Sequence, residues 1–170
     1  MIFVLALLLS DPITLTREAT TYRWPSAKVQ YYLGDTPGNW REIHGECRRA
    51  FAEWRRRTGM KFVEVRQPGL DNSIDVHFTD DPLFPLVGGQ LARAYYPPPG
   101  WWEPLAGDIY IRPDIQPMGE YRDIYSVMLH EIGHALGLPH MADSVMAPTY
   151  TPHRILWLSD VAAWKGLYVP

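Results

Sequence analysis

Hydrophobic and polar positions alternate in several short stretches of the chain and recur at helical spacing in others. "MKFVEV" (60–65) and "SIDVHF" (73–78) alternate apolar with polar residues, and "AKVQYYL" (27–33) is rich in aromatic and β-branched residues. With "LARAYYP" (91–97) and "GDIYIRP" (107–113) they predict five strands. Between the first two, Ile43, Cys47, Ala50, Phe51 and Trp54 fall on one side of a helix from about Trp40 to Arg57, which Gly59 stops. A second helix is expected from about Tyr121 to Leu136, and a third over "LSDVAAWKGLY" (158–168) with Ser159 as its N-cap. "PPPGWWEP" reads as a loop by its prolines, with Trp101 and Trp102 packed against the sheet rather than forming an exposed platform. This order of elements predicts an α+β domain with one mixed sheet.

Composition narrows the picture. At 170 residues and 46% hydrophobic content, one domain with a real core is expected. The net charge of −3 gives no reason to expect a nucleic-acid partner. The basic run from Arg48 to Lys61 lies on a helix whose other face is apolar, so it reads as a solvated face. Cys47, the lone cysteine, excludes an internal disulfide framework and a cysteine-ligated zinc, and reads as a small core residue. The apolar run Ile2–Leu9 is too short to span a bilayer and resembles the central region of a secretory signal, although no Lys or Arg precedes it. Residues 1–16 are therefore read as an apolar leader of an exported, monomeric protein and 17–170 as the domain, a packed N-terminal segment being the alternative. No other stretch is apolar enough to cross a membrane.

The chemistry concentrates in "LHEIGHALGLPH" (129–140). His130 and His134, four residues apart on a helix, project from one face a turn apart, which suits zinc and its nitrogen ligands. Gly137 can end the helix in a left-handed conformation and let Leu138-Pro139 bring His140 back to the same metal. Three protein ligands leave a fourth position for water, the arrangement of a catalytic zinc. Glu131 is the natural general base for that water. A bare H-E-x-x-H arises by chance about once in a few hundred chains of this length, and the added glycine and third histidine make coincidence far rarer. The extended pattern followed by a methionine turn is the metzincin signature, and "DSVMAPTY" supplies the methionine as Met146, expected to lie beneath the metal. His44, His77 and His153 are read as non-ligands on a helix face, a strand and a loop.

Within the metzincins the chain resembles the catalytic domain of a matrixin from about Arg23 to Tyr168, through "YRWPSAKVQYYL", "AFAEWRRRTGMKFVEV", "IDVHF", "GGQLARAYYPP", "GDIYIRPD", "VMAPTYTP" and "LSDVAAWKGLY". The resemblance implies a twisted five-stranded mixed sheet with three helices and a zinc-dependent endopeptidase acting on proteins or peptides. It places substrate against the edge strand at Leu91 and Ala92, and Pro148 and Tyr150 in the wall of the pocket for the residue after the cut. Ser126 falls where the family closes that pocket, and so small a residue would leave it deep and favour bulky apolar side chains. Tyr150, four residues after Met146, is not placed as the extra zinc ligand of related groups.

Departures from the family pattern carry their own expectations. The ligands of its second, structural zinc are replaced by Arg93, Tyr110 and "TDDP", so that site is not expected. One calcium site fails at Pro85, Arg112 and Ile115; another would use Asp75 and Asp108, which could equally cap strands or turns. Cys47 lies inside the first helix and few residues precede Tyr22, so latency through a cysteine–zinc bond is not expected; nor is a haemopexin-like domain. Met141 stands where a serine is usual, and the short path from His140 to Met146 implies a different loop under the metal. Two rivals stand beside the endopeptidase: a zinc-containing peptide binder without catalysis, which Glu131 argues against, and a zinc hydrolase of a non-protein amide such as a cell-wall component.

Overall fold

A computed structural model describes residues 22–36, 38–80, 82, 85–97, 105–115 and 123–169. The leader at 1–16 and the Trp101–Trp102 pair lie outside the described residues. Five strands and three helices follow one another as β1 (Lys28–Leu33), α1 (Trp40–Thr58), β2 (Lys61–Glu64), β3 (Ser73–His77), β4 (Ala92–Ala94), β5 (Ile109–Ile111), α2 (Ile124–Ala135) and α3 (Leu158–Tyr168). They form an α+β domain with one mixed sheet in the order β2-β1-β3-β5-β4. The first three pairings are parallel, and β4 closes the edge antiparallel to β5, with Ala92 opposite Ile111 and Ala94 opposite Ile109.

Period-two alternation sorts the central strands. Ile74, Val76, Ile109 and Ile111 are fully buried in one core with Ile43, Cys47, Phe51 and Trp54 of α1 and Met128, Leu129 and Ile132 of α2. Burial of each such aliphatic side chain stabilises the fold by roughly 1.5–3 kcal/mol. Cys47 is wholly enclosed and its thiol is pushed far above its ordinary range by that burial, which suits an inert core residue. The basic face of α1 is solvated as expected, with Arg48 reaching Glu64 at 2.7 Å and Arg49 reaching Glu46.

Three side chains from distant parts of the chain fix α2. The Trp54 indole donates to the Leu129 carbonyl (3.0 Å), Trp24 to Ala135 (2.8 Å) and the Tyr168 hydroxyl to Leu136 (2.9 Å). The last two satisfy carbonyls that a helix end leaves without partners. Two expectations need correction. The ladders of β4 and β5 are shorter than the runs 91–97 and 107–113, although the Tyr95 N–H still donates to the Asp108 carbonyl and the Arg112 N–H to the Leu91 carbonyl just beyond them. The N-cap of α3 is Trp157, not Ser159: the Asp160 carboxylate accepts the Trp157 N–H at 2.8 Å, while the Ser159 hydroxyl donates to the Asp143 carbonyl.

Candidate metal centre

Asp123 starts α2: its carboxylate accepts the Ser126 N–H at 2.8 Å, so the helix begins at Ile124 rather than near Tyr121, and residues 121–122 lie outside the described set. At the other end Gly137 takes φ 96°, and a Cβ there would lie 2.0 Å from the Tyr22 carbonyl oxygen. Only glycine permits both the left-handed turn and that approach. The reversal brings His140 back, with ring centroids 5.3 Å from His130 and 4.7 Å from His134. One nitrogen from each imidazole lies within 4.8 Å of the other two.

The hydrogen bonds decide which nitrogens face inward. His130 Nδ1 lies 2.7 Å from the Val145 carbonyl, and His134 Nδ1 lies 2.7 Å from the Leu138 carbonyl. A carbonyl oxygen only accepts, so each Nδ1 carries the proton and each Nε2 presents a lone pair. These two Nε2 atoms lie 3.0 Å apart. Two lone pairs at that distance repel unless an electrophile sits between them. The donor set therefore fits a zinc ion held by His130 Nε2, His134 Nε2 and His140, with backbone carbonyls orienting two of the rings. Burial pushes His130 down to about 4 and His134 to about 3, and lowers His140 as well, so the imidazoles are neutral at pH 7 as ligands must be.

Glu131 points into the same cleft and is 7% exposed. Burial pushes its carboxyl up to about 8, opposed by the Ala94 backbone amide and the Arg93 charge. A divalent cation beside it would lower that value again.

Met146 is fully buried and packed against Gly133, the residue before His134, where a Cβ would come within 2.2 Å of the methionine Sδ. The tight turn closes through Ser144, whose hydroxyl accepts the Met146 N–H at 2.9 Å, and through the Met141 N–H, which donates to the Met146 carbonyl. Asp160 accepts the Val145 N–H at 3.4 Å, so α3 holds the residue whose carbonyl orients His130. Sequence reasoning missed Gly133, Asp160 and Asp123. Asp123 carried a readable signal, a capping residue before a helix; Gly133 carried none.

A cleft of about 570 Å³ joins these groups to the edge strand, and Leu91, Ala92, Ser126, Pro148 and Tyr150 all line it. The Ser126 hydroxyl both donates to the His153 carbonyl and accepts the His153 N–H, each at 2.9 Å, so it clamps the loop after Met146 onto α2. The Tyr150 hydroxyl donates to the Asp123 carboxylate at 2.7 Å, tying the cleft wall to the cap of the same helix. His153 lines the cleft, and His44 lies on α1 with Nε2 2.9 Å from the Gly34 carbonyl. Arg93 sits on β4 and Tyr110 on β5, side by side in register.

Three convergent histidines, two on α2 and one after its turn, form a cluster that could hold a metal ion, and comparison with known proteins specifies the family. The family model described as Matrixin matches residues 23–169, and the chain belongs to the matrixin family of zinc metallopeptidases. Matrix metalloproteinase-16 of Homo sapiens is 38% identical over 126 residues, covering 64% of this chain and 20% of that protein. Probable matrix metalloproteinase 095L of Invertebrate iridescent virus 3 is 34% identical over 168 residues (90% and 44%), and interstitial collagenase of Sus scrofa 30% over 159 residues (87% and 33%). The chain thus spans less than half the length of these relatives. Among the described residues no helix is long and apolar enough to cross a membrane.

Proposed function

We propose that this domain is a zinc-dependent endopeptidase in which Glu131 is the general base. The observation that carries the reading is the convergence of two fixed Nε2 lone pairs beside a buried carboxylate in an open cleft. Zinc bound there supplies a Lewis acid and a water acidified to a pKa of about 7. His130, His134 and His140 hold the ion through neutral imidazoles. Glu131 takes a proton from the attacking water and returns it to the departing amine. Its burial beside apolar wall residues suits a group that must accept and release a proton near neutral pH.

The edge strand positions the substrate. Among the described residues β4 is paired with β5 on one side only, so an extended peptide adds along its other edge through backbone hydrogen bonds. That geometry favours cleavage within chains rather than at their ends. Because His153 engages the proton and one lone pair of the Ser126 hydroxyl, the hydroxyl has no proton left to donate to a bound side chain, which supports a preference for bulky apolar residues after the cut.

The test is digestion of an unfolded protein by wild type and Glu131→Ala, each with and without a zinc chelator. Wild type should cleave, the chelator should abolish cleavage, and the variant should lose at least about 10²-fold in rate. No cleavage by zinc-loaded wild type would favour a peptide-binding domain or a hydrolase of other amides. Cleavage surviving in Glu131→Ala would refute the assigned base. Profiling of the cut sites that showed Gly or Ala preferred just after the cut would overturn the pocket assignment.

A further inference from the structure

The sheet face opposite the core carries a second donor cluster. β3 and β5 pair with Val76 beside Ile109 and His77 beside Tyr110, so one residue earlier Asp75 stands beside Asp108. Since Ile74, Val76, Ile109 and Ile111 enter the core, alternation puts Asp75, His77, Asp108 and Tyr110 together on the other face. Asp75 and Asp108 are only 5% and 8% exposed. Like charges opposite one another on neighbouring strands are destabilising, and burial strips both of hydration. Burial raises Asp108 above its usual range and the Asp75 charge adds to this, while His77 acts in the opposite sense. Such a pair calls for a cation.

The neighbouring groups are arranged to receive one. The His77 ring stacks on Tyr110 with centroids 4.6 Å apart and holds Nε2 3.3 Å from Asp108 Oδ2. Asp75 is braced by the Ser73 hydroxyl at 2.7 Å and by the Gly69 amide. One donor atom from each of Asp75, His77 and Asp108 lies within 4.8 Å of the others. The His77 and Asp108 side chains remain 27% and 12% exposed, which leaves an approach from solvent. Arg93, one register position along, has its guanidinium 3.4 Å from the Gln90 side-chain oxygen.

We propose that Asp75, His77 and Asp108 form a second metal site, selective for a zinc-class divalent ion, that fastens β3 to β5. An imidazole with two carboxylates is a mixed nitrogen–oxygen set suited to zinc and its neighbours, and the ion's charge cancels both carboxylates. Calcium takes six to eight oxygen ligands and has no use for the imidazole. This differs from the expectation of calcium on Asp75 and Asp108 alone, because the structure adds His77. It differs too from the histidine-based site that is not expected at Arg93 and Tyr110.

The test counts bound zinc per chain after metal-free protein is loaded and desalted, for wild type, His134→Ala, His77→Ala and the near-isosteric Asp108→Asn. Wild type should hold one ion more than each of the three variants. His77→Ala and Asp108→Asn should also lose the rise in Tm that accompanies the outer ion, while circular dichroism shows them folded. If His134→Ala holds none while wild type holds one, the outer site does not exist. If wild type and His134→Ala hold one each and His77→Ala none, the outer site stands and the catalytic centre falls. Retention of the full count by both outer-site variants, or a Tm raised by calcium and not by zinc, would overturn the assignment.

Discussion

The two donor clusters are built from similar side chains by opposite means. In the triad, two ligands share one helix and the third follows a glycine turn, so all three lie within eleven residues of sequence. Backbone carbonyls set the tautomers of His130 and His134, Met146 packs against Gly133 between them, and α3 holds the neighbouring Val145 through Asp160. On the outer face, Asp75 and His77 come from β3 and Asp108 from β5, and only parallel register brings them together. The orienting groups there are a hydroxyl, an amide and a stacked ring. The first cluster opens into a cleft with a buried carboxylate beside it, as the proposed chemistry requires; the second lies between strands, where the proposed ion would fasten them.

The sharpest way to separate the clusters is Glu131→Gln. It should lower peptidase rate by about 10²–10⁴-fold, measured as kcat/KM, while bound zinc is unchanged at both places. A similar loss in His77→Ala without loss of stability would erase the distinction, since that residue lies outside the cleft.

Acid should act mainly on the triad. His130 and His134 have folded values pushed below 6.5, to about 4 and about 3, so between those limits the unfolded chain binds more protons than the folded one. Their contribution to the stability of metal-free protein is therefore present above pH 6.5 and lost as pH falls towards 4 and 3. Thermal melting of the metal-free protein from pH 7.5 to 4 should show Tm falling in that window, and a flat profile would contradict the burial assigned to the rings.

Gly133→Ala should force Met146 out of its seat. Overpacking of this kind costs about 1–3 kcal/mol, a drop of roughly 2–4 °C in Tm per kcal/mol for a domain of this size. Pairing it with Met146→Ala in a double-mutant cycle should restore part of the loss, because the smaller side chain vacates the space the new methyl needs. The smallest effect is expected from Tyr150→Phe, which removes the hydroxyl's bond to the Asp123 carboxylate and the bond it accepts from the Asp123 N–H, and should cost about 1–2 kcal/mol in denaturant unfolding. An equal effect on activity alone would mean that Tyr150 acts on substrate rather than on the helix.

What was legible in the sequence was local. Strand alternation, the apolar stripe of α1, the helical spacing of His130 and His134 and the turn at Gly137 all rest on neighbours a few residues apart, where backbone geometry dictates which side chains share a face. The solvated basic face and the buried Cys47 follow from the same periodicity. Local cues also led to Ser159 as a cap, a residue of the right type whose place is taken by the pairing of Trp157 with Asp160.

Tertiary structure alone decided the rest. That Trp24 and Tyr168 hold the end of α2, that Met146 rests on Gly133, and that Asp160 steadies the carbonyl behind His130 are contacts between segments with no periodic relation. That Asp75, His77 and Asp108 converge depends on strand register, which shifts every side chain to the other face if it slips by one residue. Sequence by itself determined that three histidines would meet and which elements bear them, because helix geometry is local. Only the packed sheet and helices determined how those ligands are held, and where a second set of donors meets, because register and packing are properties of the whole chain.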